Sequence, residues 1–467
     1  MTVIDDIAEV EATVASARSA QLRFEAHGSQ LRYDRAAQAA AWAIMEPTRN
    51  THLAELAVET TGLGNVPDKI TKNHRKTLGL MRDIATAKTH GIISEDAETG
   101  ITQIARPIGV IGAVVPSTNP AATPANNIIN ALKCGNAIVL SPSPKGVPAC
   151  EVLIGYIHAE FDKIGEDRDL VQMVRGKGSK EKTQRLLEIS DLIVVTGSQN
   201  NVKRAYTSGT PALAVGAGNV TVIVDETCDL DDAAQKITAS KTFDNATSCS
   251  SENSIVVVDA VYDDFIVALA KAGGARITDE AAIVAKLWPA GHLNRSVIAQ
   301  DADKMLEALE IEGTVPSDTK FLAVETTGIG PDHPLSGEKL SRVAALYRAA
   351  DFDAAVNITQ RIMAFQGAGH SVGIHTANAD RPIEIGTLIP TCRVIVNQAH
   401  TFATGGSFTN GMPFSLSMGC GSWGGNSIDD NVHWKHFMQT VKIIREIPAR
   451  EPKVEDIFAD YWKASGQ

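Results

Sequence analysis

The chain has no CxxC pair, no block of lysines or arginines, and no apolar run long enough to cross a bilayer; none of its early strand-like strings is followed by GxGxxG. Each absence removes a class of function. The six cysteines, at 134, 150, 228, 249, 392 and 420, are scattered without zinc spacing, so they read as reduced thiols of a cytoplasmic protein rather than a disulfide framework or a metal centre. His433 and His436 share a possible helix face but have no third ligand nearby, so no metal site is expected. The longest apolar string, IGVIGAVV at 108–115, falls far short of the ~18 to 20 residues a membrane helix needs. The amino-terminal string MTVIDDIAEVEATV carries acids where an export signal carries bases. With 43 basic against 55 acidic residues and a net charge of −12, the chain as a whole repels nucleic acid and anionic lipid, although a small anionic substrate is still allowed.

What is present is a globular composition, 44% hydrophobic and 21% charged over 467 residues, enough for two or three domains. Residues 3–87 carry apolar positions at three-to-four spacing, as in LAELAVETTG, and predict several amphipathic helices, one of them ended by Gly62 and Gly64. Next, THGIISEDAETGITQIARP alternates polar and apolar residues around a turn and predicts a hairpin. From Ile108 the texture becomes β-branched strings between helical ones: IGVIGAVVP, NAIVLS, DLIVVTGS, NVTVIVD. That alternation predicts an α/β fold with a parallel sheet covered on both faces. After a helix at LDDAAQKITASKTF a second alternation follows, with SIVVVD, FLAVE, VAALYR, SVGIHT and RVIVNQ. The string LAVETTG occurs twice, at 56–62 in a helical pattern and at 322–328 in a strand pattern, and is read as coincidence because context decides its structure.

Open α/β sheets bind ligands at the carboxyl ends of their strands. That edge holds Pro116 in PSTNP, then Ser141, Pro142, Ser143 and Lys145 in SPSPKG, then Thr196, Gly197 and Ser198 before a helix start able to seat a phosphate. Cys249 lies in TFDNATSCSSENS, between hydroxyls and amides and directly before a strand. A packing cysteine usually has apolar neighbours. Cys249 is therefore the candidate nucleophile, with Cys420 in SMGCGSWGGNS as the alternative; Cys134 and Cys150 sit in helical patterns and read as packing.

These strings resemble the aldehyde dehydrogenase superfamily, and within it the coenzyme A-acylating aldehyde dehydrogenases. The resemblance runs from near 57 to near 435 through AVETTGLGNVPDKITKNH, PIGVIGAVVPSTNP, ALKCGNAIVLSPSP, AYTSGTPALAVGAGN, FDNATSC, EKLSRVAALYRAADFDAAV, GAGHSVGIHT and LSMGCGSWGGNS. It implies a Rossmann-like cofactor domain at 1–229, including an oligomerisation hairpin at about 88–106. A catalytic domain at 230–432 would carry the thiol, and a docking tail would occupy 433–467. It further implies that Cys249 attacks an aldehyde, that NAD or NADP takes the hydride, and that the enzyme thioester passes to coenzyme A. Val215 and Gly216 in LAVGAGN join the cofactor side, and Glu338 in EKLSRVAALYR matches the glutamate that holds the nicotinamide ribose. The thiohemiacetal oxygen needs donors; Asn119 is the candidate amide, while the family's usual string has its asparagine one residue earlier, where Thr118 stands.

Hydrolytic relatives carry a water-activating glutamate where this chain has Ala214, which favours transfer to a thiol over hydrolysis. SPSPKG lacks an acid to grip a ribose 2′-hydroxyl, so Ser141, Ser143 and Lys145 suit a phosphate and permit NADP as well as NAD; Lys145 reads equally as an exposed helix-start lysine. The loop NQAHTFATGGSFTNGM at 397–412 is hydroxyl-rich and suits a short polar or anionic aldehyde. Arg393, His400, Thr401 and His370 are its substrate-side candidates, and the sulfoacetaldehyde-oxidising branch is most similar here. Arg342 stands where relatives carry proline, to touch substrate or to face solvent. Acylating acetaldehyde, propionaldehyde or semialdehyde dehydrogenases and a hydrolytic dehydrogenase are the rivals within the family. A cysteine hydrolase and a non-catalytic scaffold are the rivals outside it. The hairpin and the tail VKIIREI predict pairing between subunits of a homodimer or homotetramer.

Overall fold

The computed structural model describes residues 3–176 and 178–466; the first two residues of the acidic amino-terminal string lie outside them. Four helices open the chain, Val3–Ala26, Gln30–Met45, Pro47–Thr61 and Val66–Ile84. The third begins on a proline and ends at Gly62, whose φ of 70° is the left-handed cap that glycine adopts at little cost. The fourth is capped by the side chain of Asn65, which accepts from the amide of Asp68.

Two parallel sheets follow. The first has five strands in the order Val171–Met173, Ala137–Pro142, Val110–Val115, Leu192–Thr196 and Ala212–Val215. Its central strands are buried along their whole length, as a sheet covered on both faces requires. The opening helices pack on it, Phe24, Tyr33 and Ile44 sharing one core with Ile111 and Ile138. The second sheet has seven strands in the order Gly274–Ile277, Phe321–Glu325, Val343–Ala349, Glu252–Val258, Val220–Val224, Val372–His375 and Val394–Val396. Its two faces carry separate apolar clusters.

The expected division at 229 needs correcting. The strand Val220–Val224 pairs with Glu252–Val258 and Val372–His375, so the chain enters the second sheet before that point. It also returns to the first core late, through Phe414, Val432 and Phe437. The hairpin forms from Gly91–Asp96 and Ile101–Pro107. The tail strand Met438–Ile444 pairs antiparallel with Ile101–Pro107 of its own chain, since the tail leaves the first core close to the hairpin's second arm, and its other edge is open. No helix among the described residues is long and apolar enough to cross a membrane.

Candidate active site

The approach to Cys249 runs through strained backbone. After the helix Leu230–Thr242, Asp244, Asn245 and Ala246 all take left-handed conformations, with φ of 47°, 55° and 60°. Such residues cost on the order of 1–3 kcal/mol each unless their surroundings fix them. Here the fixing groups come from three directions. The Asp244 carboxylate accepts from the amide of Asn65 at 3.1 Å, from Lys69 Nζ at 3.1 Å, from Thr247 Oγ1 at 2.7 Å, and from Lys72. The Asp244 amide donates to Asp68 at 2.7 Å. Asn245 Oδ1 accepts from Arg342 at 2.5 and 3.0 Å, so the half-buried Arg342, which is not among the cavity's lining residues, holds the turn. A Cβ at Gly218 would lie 2.2 Å from the Cys249 carbonyl, which explains the glycine in LAVGAGN.

Cys249 Sγ lies 3.3 Å from His370 Nε2. The other nitrogen, His370 Nδ1, is 2.7 Å from Ser371 Oγ, which in turn is 2.8 Å from His400 Nε2. Burial, followed by the charge of Glu338, pushes the Cys249 thiol up to about 12. Burial and then Arg393 push His370 down to about 3. The pair is therefore neutral thiol and neutral imidazole at physiological pH, not a thiolate and imidazolium. Glu338 is pushed up to about 8, chiefly by burial.

Two substrate-side expectations fail on geometry. Arg393 does not line the cavity: its guanidinium is consumed by the carbonyls of His370 and Gly419, both at 2.9 Å, and by Asn431 Oδ1 at 3.1 Å. His400 is fully buried behind Ser371. Thr401 does reach the wall, and His370 reaches the sulfur from behind it. Cys420 is buried away from the cavity.

The cavity, about 580 Å³, extends from Cys249 to the carboxyl edge of the first sheet. Pro116, Ser141, Pro142, Ser143, Thr196, Gly197, Ser198 and Gly216 line that end, while Asn119 and Glu338 lie among its remaining walls. Lys145 is exposed and outside this lining, and Val215 is buried in its strand next to Gly216, which does line it. Ala214 packs against Val195 and Val202, leaving Glu338 as the only carboxylate among the lining residues described. Against it stand five cations, Lys72, Arg75, Lys76, Lys180 and Arg204, in a chain whose net charge is negative. The sequence reading missed all five. For Lys72 and Lys76 the signal was their spacing with Lys69 on one helical face, which marks a basic stripe without saying what it faces. A dinucleotide fits the strand-end region: Ser143 Oγ is buried there with no partner, and Ser198 caps a helix start beside two of the cations.

An α/β scaffold that holds a lone thiol against a dinucleotide-type sheet edge defines a cysteine-dependent oxidoreductase. The chain belongs to the aldehyde dehydrogenase family, whose profile matches residues 5–281. It is 54% identical over 460 residues to the acylating sulfoacetaldehyde dehydrogenase of Cupriavidus necator, covering 98% of this chain and 93% of that one. Its fold matches an acetylating aldehyde dehydrogenase from Geobacillus thermoglucosidasius with a TM-score of 0.91 and 31% identity, over 97% of this chain and 99% of the other. It also matches a Rhodopseudomonas palustris propionaldehyde dehydrogenase with bound propionyl-CoA, TM-score 0.84 and 25% identity, over 93% and 94% of the two chains.

Proposed function

We propose that this chain oxidises a short anionic aldehyde, sulfoacetaldehyde, to its coenzyme A thioester with NAD or NADP as hydride acceptor. The observation that carries the reading is a thiol set in a strongly cationic cavity whose one carboxylate is protonated, in a chain 54% identical to an acylating sulfoacetaldehyde dehydrogenase.

The sulfur of Cys249 gives up its proton and bonds to the aldehyde carbon. His370, which stays neutral, accepts the thiol's hydrogen bond and orients the sulfur, and the proton passes to solvent as the thiolate forms. The carbonyl oxygen becomes an alkoxide and needs donors. Lys72 Nζ donates to Asn119 Oδ1 at 2.9 Å, which fixes the amide so that Nδ2 is the face left to donate. Thr118 offers Lys69 only its carbonyl, at 3.1 Å, so Asn119 is the better oxyanion donor. Ser143, Ser198, Lys180 and Arg204 would hold the phosphates of a nicotinamide dinucleotide and Glu338 its ribose, and that group would supply the hydride acceptor. A thioester remains on Cys249. Glu338, with its proton in place below about pH 8, is a poor base for activating water. The coenzyme A thiol therefore loses its proton and takes the acyl group, and the released Cys249 sulfur takes up a proton to restore the thiol. The working unit is a homodimer or homotetramer.

Following reduced nicotinamide and the acyl product with and without coenzyme A tests the reading. Acyl-CoA should be the dominant product, and steady turnover should need coenzyme A. Free acid formed at an undiminished rate without the carrier thiol would overturn it.

A further inference from the structure

We propose that Arg75 and Lys76 form a subsite for the anionic end of the substrate and select an aldehyde bearing a sulfonate. The inference rests on the reading above and deepens it. Both residues project from the helix Val66–Ile84 into the cavity that Cys249 lines.

The helix presents Lys69, Lys72 and Lys76 at positions i, i+3 and i+7, one face, with Arg75 beside them. The first two share the buried carboxylate of Asp244. Among the described residues, no carboxylate lies within ion-pair distance of Arg75 or Lys76. Their surroundings hold them in place without supplying a counter-charge. The Arg75 guanidinium lies 5.0 Å from the centre of the Phe402 ring and 5.9 Å from that of Phe408. Lys76 Nζ donates to the Gly405 carbonyl at 2.5 Å, and a Cβ on Gly405 would lie 2.5 Å from that nitrogen. One ammonium proton is used; two remain, together with the guanidinium fork.

Two like charges side by side at a partly desolvated wall disfavour each other, and an anion entering between them removes the conflict. The strain is visible in Lys76, pushed down to about 7 by burial, then by Arg75 and Lys72. A sulfonate suits the place because it keeps its charge at every working pH and offers three acceptor oxygens to a fork and an ammonium. Phosphates, whether of the dinucleotide or of coenzyme A after it has left, have other cations available at the strand ends, Lys180 and Arg204, with Arg204 Nη2 donating to the Lys180 carbonyl at 3.0 Å. Lys76 instead lines the same cavity wall region as Phe402, Gly405 and Cys249.

The test measures initial rates with sulfoacetaldehyde and with propionaldehyde for wild type, Lys76→Met, Arg75→Gln and Lys76→Arg. Ethanesulfonate serves as an unreactive competitor, and KM for coenzyme A is measured in each protein. Lys76→Met and Arg75→Gln should each lower the ratio of kcat/KM for sulfoacetaldehyde to that for propionaldehyde by about tenfold or more. The inhibition constant of ethanesulfonate should rise in parallel, Lys76→Arg should restore most of both, and KM for coenzyme A should stay put. Equal losses on both aldehydes would assign the pair a structural role and overturn the proposal. A raised KM for coenzyme A with the aldehyde ratio unmoved would assign it to the carrier's phosphates. Should a variant fail to fold, competition in the wild type still decides, since ethanesulfonate that does not compete with aldehyde leaves no sulfonate subsite. Failure of the acylating reading shows separately, as propionaldehyde oxidised to free acid without coenzyme A.

Discussion

A thiol that keeps its proton and an imidazole that does not take it up set the pH behaviour of the reaction. Cys249 is pushed up to about 12 and His370 down to about 3, so the thiolate fraction grows with pH across the whole neutral range, and no imidazolium forms to stabilise it. With propionaldehyde, which makes no demand on Lys76, kcat/KM should climb by about tenfold per pH unit between roughly pH 6 and 8. A profile already flat below pH 7 would mean a preformed thiolate and imidazolium pair and would refute this assignment. At this scale the sequence was informative where a residue was out of keeping with its neighbours: Cys249 among hydroxyls stands at the cavity wall. It misled where a polar residue had a structural use that composition hides. Arg393 and His400 flank the right loop, yet Arg393 spends its donors on backbone carbonyls and His400 on Ser371. Arg75 and Lys76 went unnoticed for the converse reason, since helical spacing cannot show that a lysine lacks a carboxylate across the fold.

The left-handed turn at 244–246 is the element on which the nucleophile's position depends, and its anchor is a carboxylate. Burial raises the Asp244 carboxyl, but Lys72 and then Lys69 outweigh it and hold it below the ordinary range. Asp244→Asn keeps the shape while leaving two buried ammonium groups without their counter-charge. Removing one partner of such a pair costs about 3–5 kcal/mol, so thermal unfolding should begin at a clearly lower temperature and kcat should fall as the turn loosens. An unchanged melting curve would show that the turn is held by Asn245 and Arg342 alone. Because the folded carboxyl is held down, its contribution is complete above about pH 4, the ordinary unfolded value, and is lost as pH falls through the lower folded value. Periodicity made most elements readable but not their partners. The two LAVETTG strings illustrate the limit. One ends the helix Pro47–Thr61, and the other contributes to the strand Phe321–Glu325, where neighbouring strands supply the hydrogen bonds that the string itself does not specify. The same blindness placed Val220–Val224 with the wrong sheet, since a buried parallel strand looks alike in either.

On the scale of the whole molecule, an acidic chain gathers cations at the one cavity where an acyl group, a dinucleotide and a carrier thiol must meet, which concentrates anionic ligands there against the general charge. A second imbalance lies at the far end of the chain. The helix Val454–Ser465 buries none of its residues, yet Val454, Ile457, Phe458 and Tyr461 recur at i, i+3, i+4 and i+7, with Ile457 60% and Tyr461 61% exposed. Close before it, the outer strand of the three-stranded sheet leaves Ile444 75% exposed along an unpaired edge. An apolar helix face beside an open strand edge is costly in water and is normally covered by protein. The tail strand already pairs with its own hairpin, so the homo-oligomer proposed above would use the free edge and the helix face as its contact. Light scattering should therefore give the mass of a dimer or tetramer. Deleting residues 447–467, which support neither parallel sheet, should shift the population to smaller species without changing the far-ultraviolet circular dichroism of the remaining fold. A wild-type monomer at micromolar concentration, or a truncated chain of undiminished mass, would show that these surfaces stand open in solution.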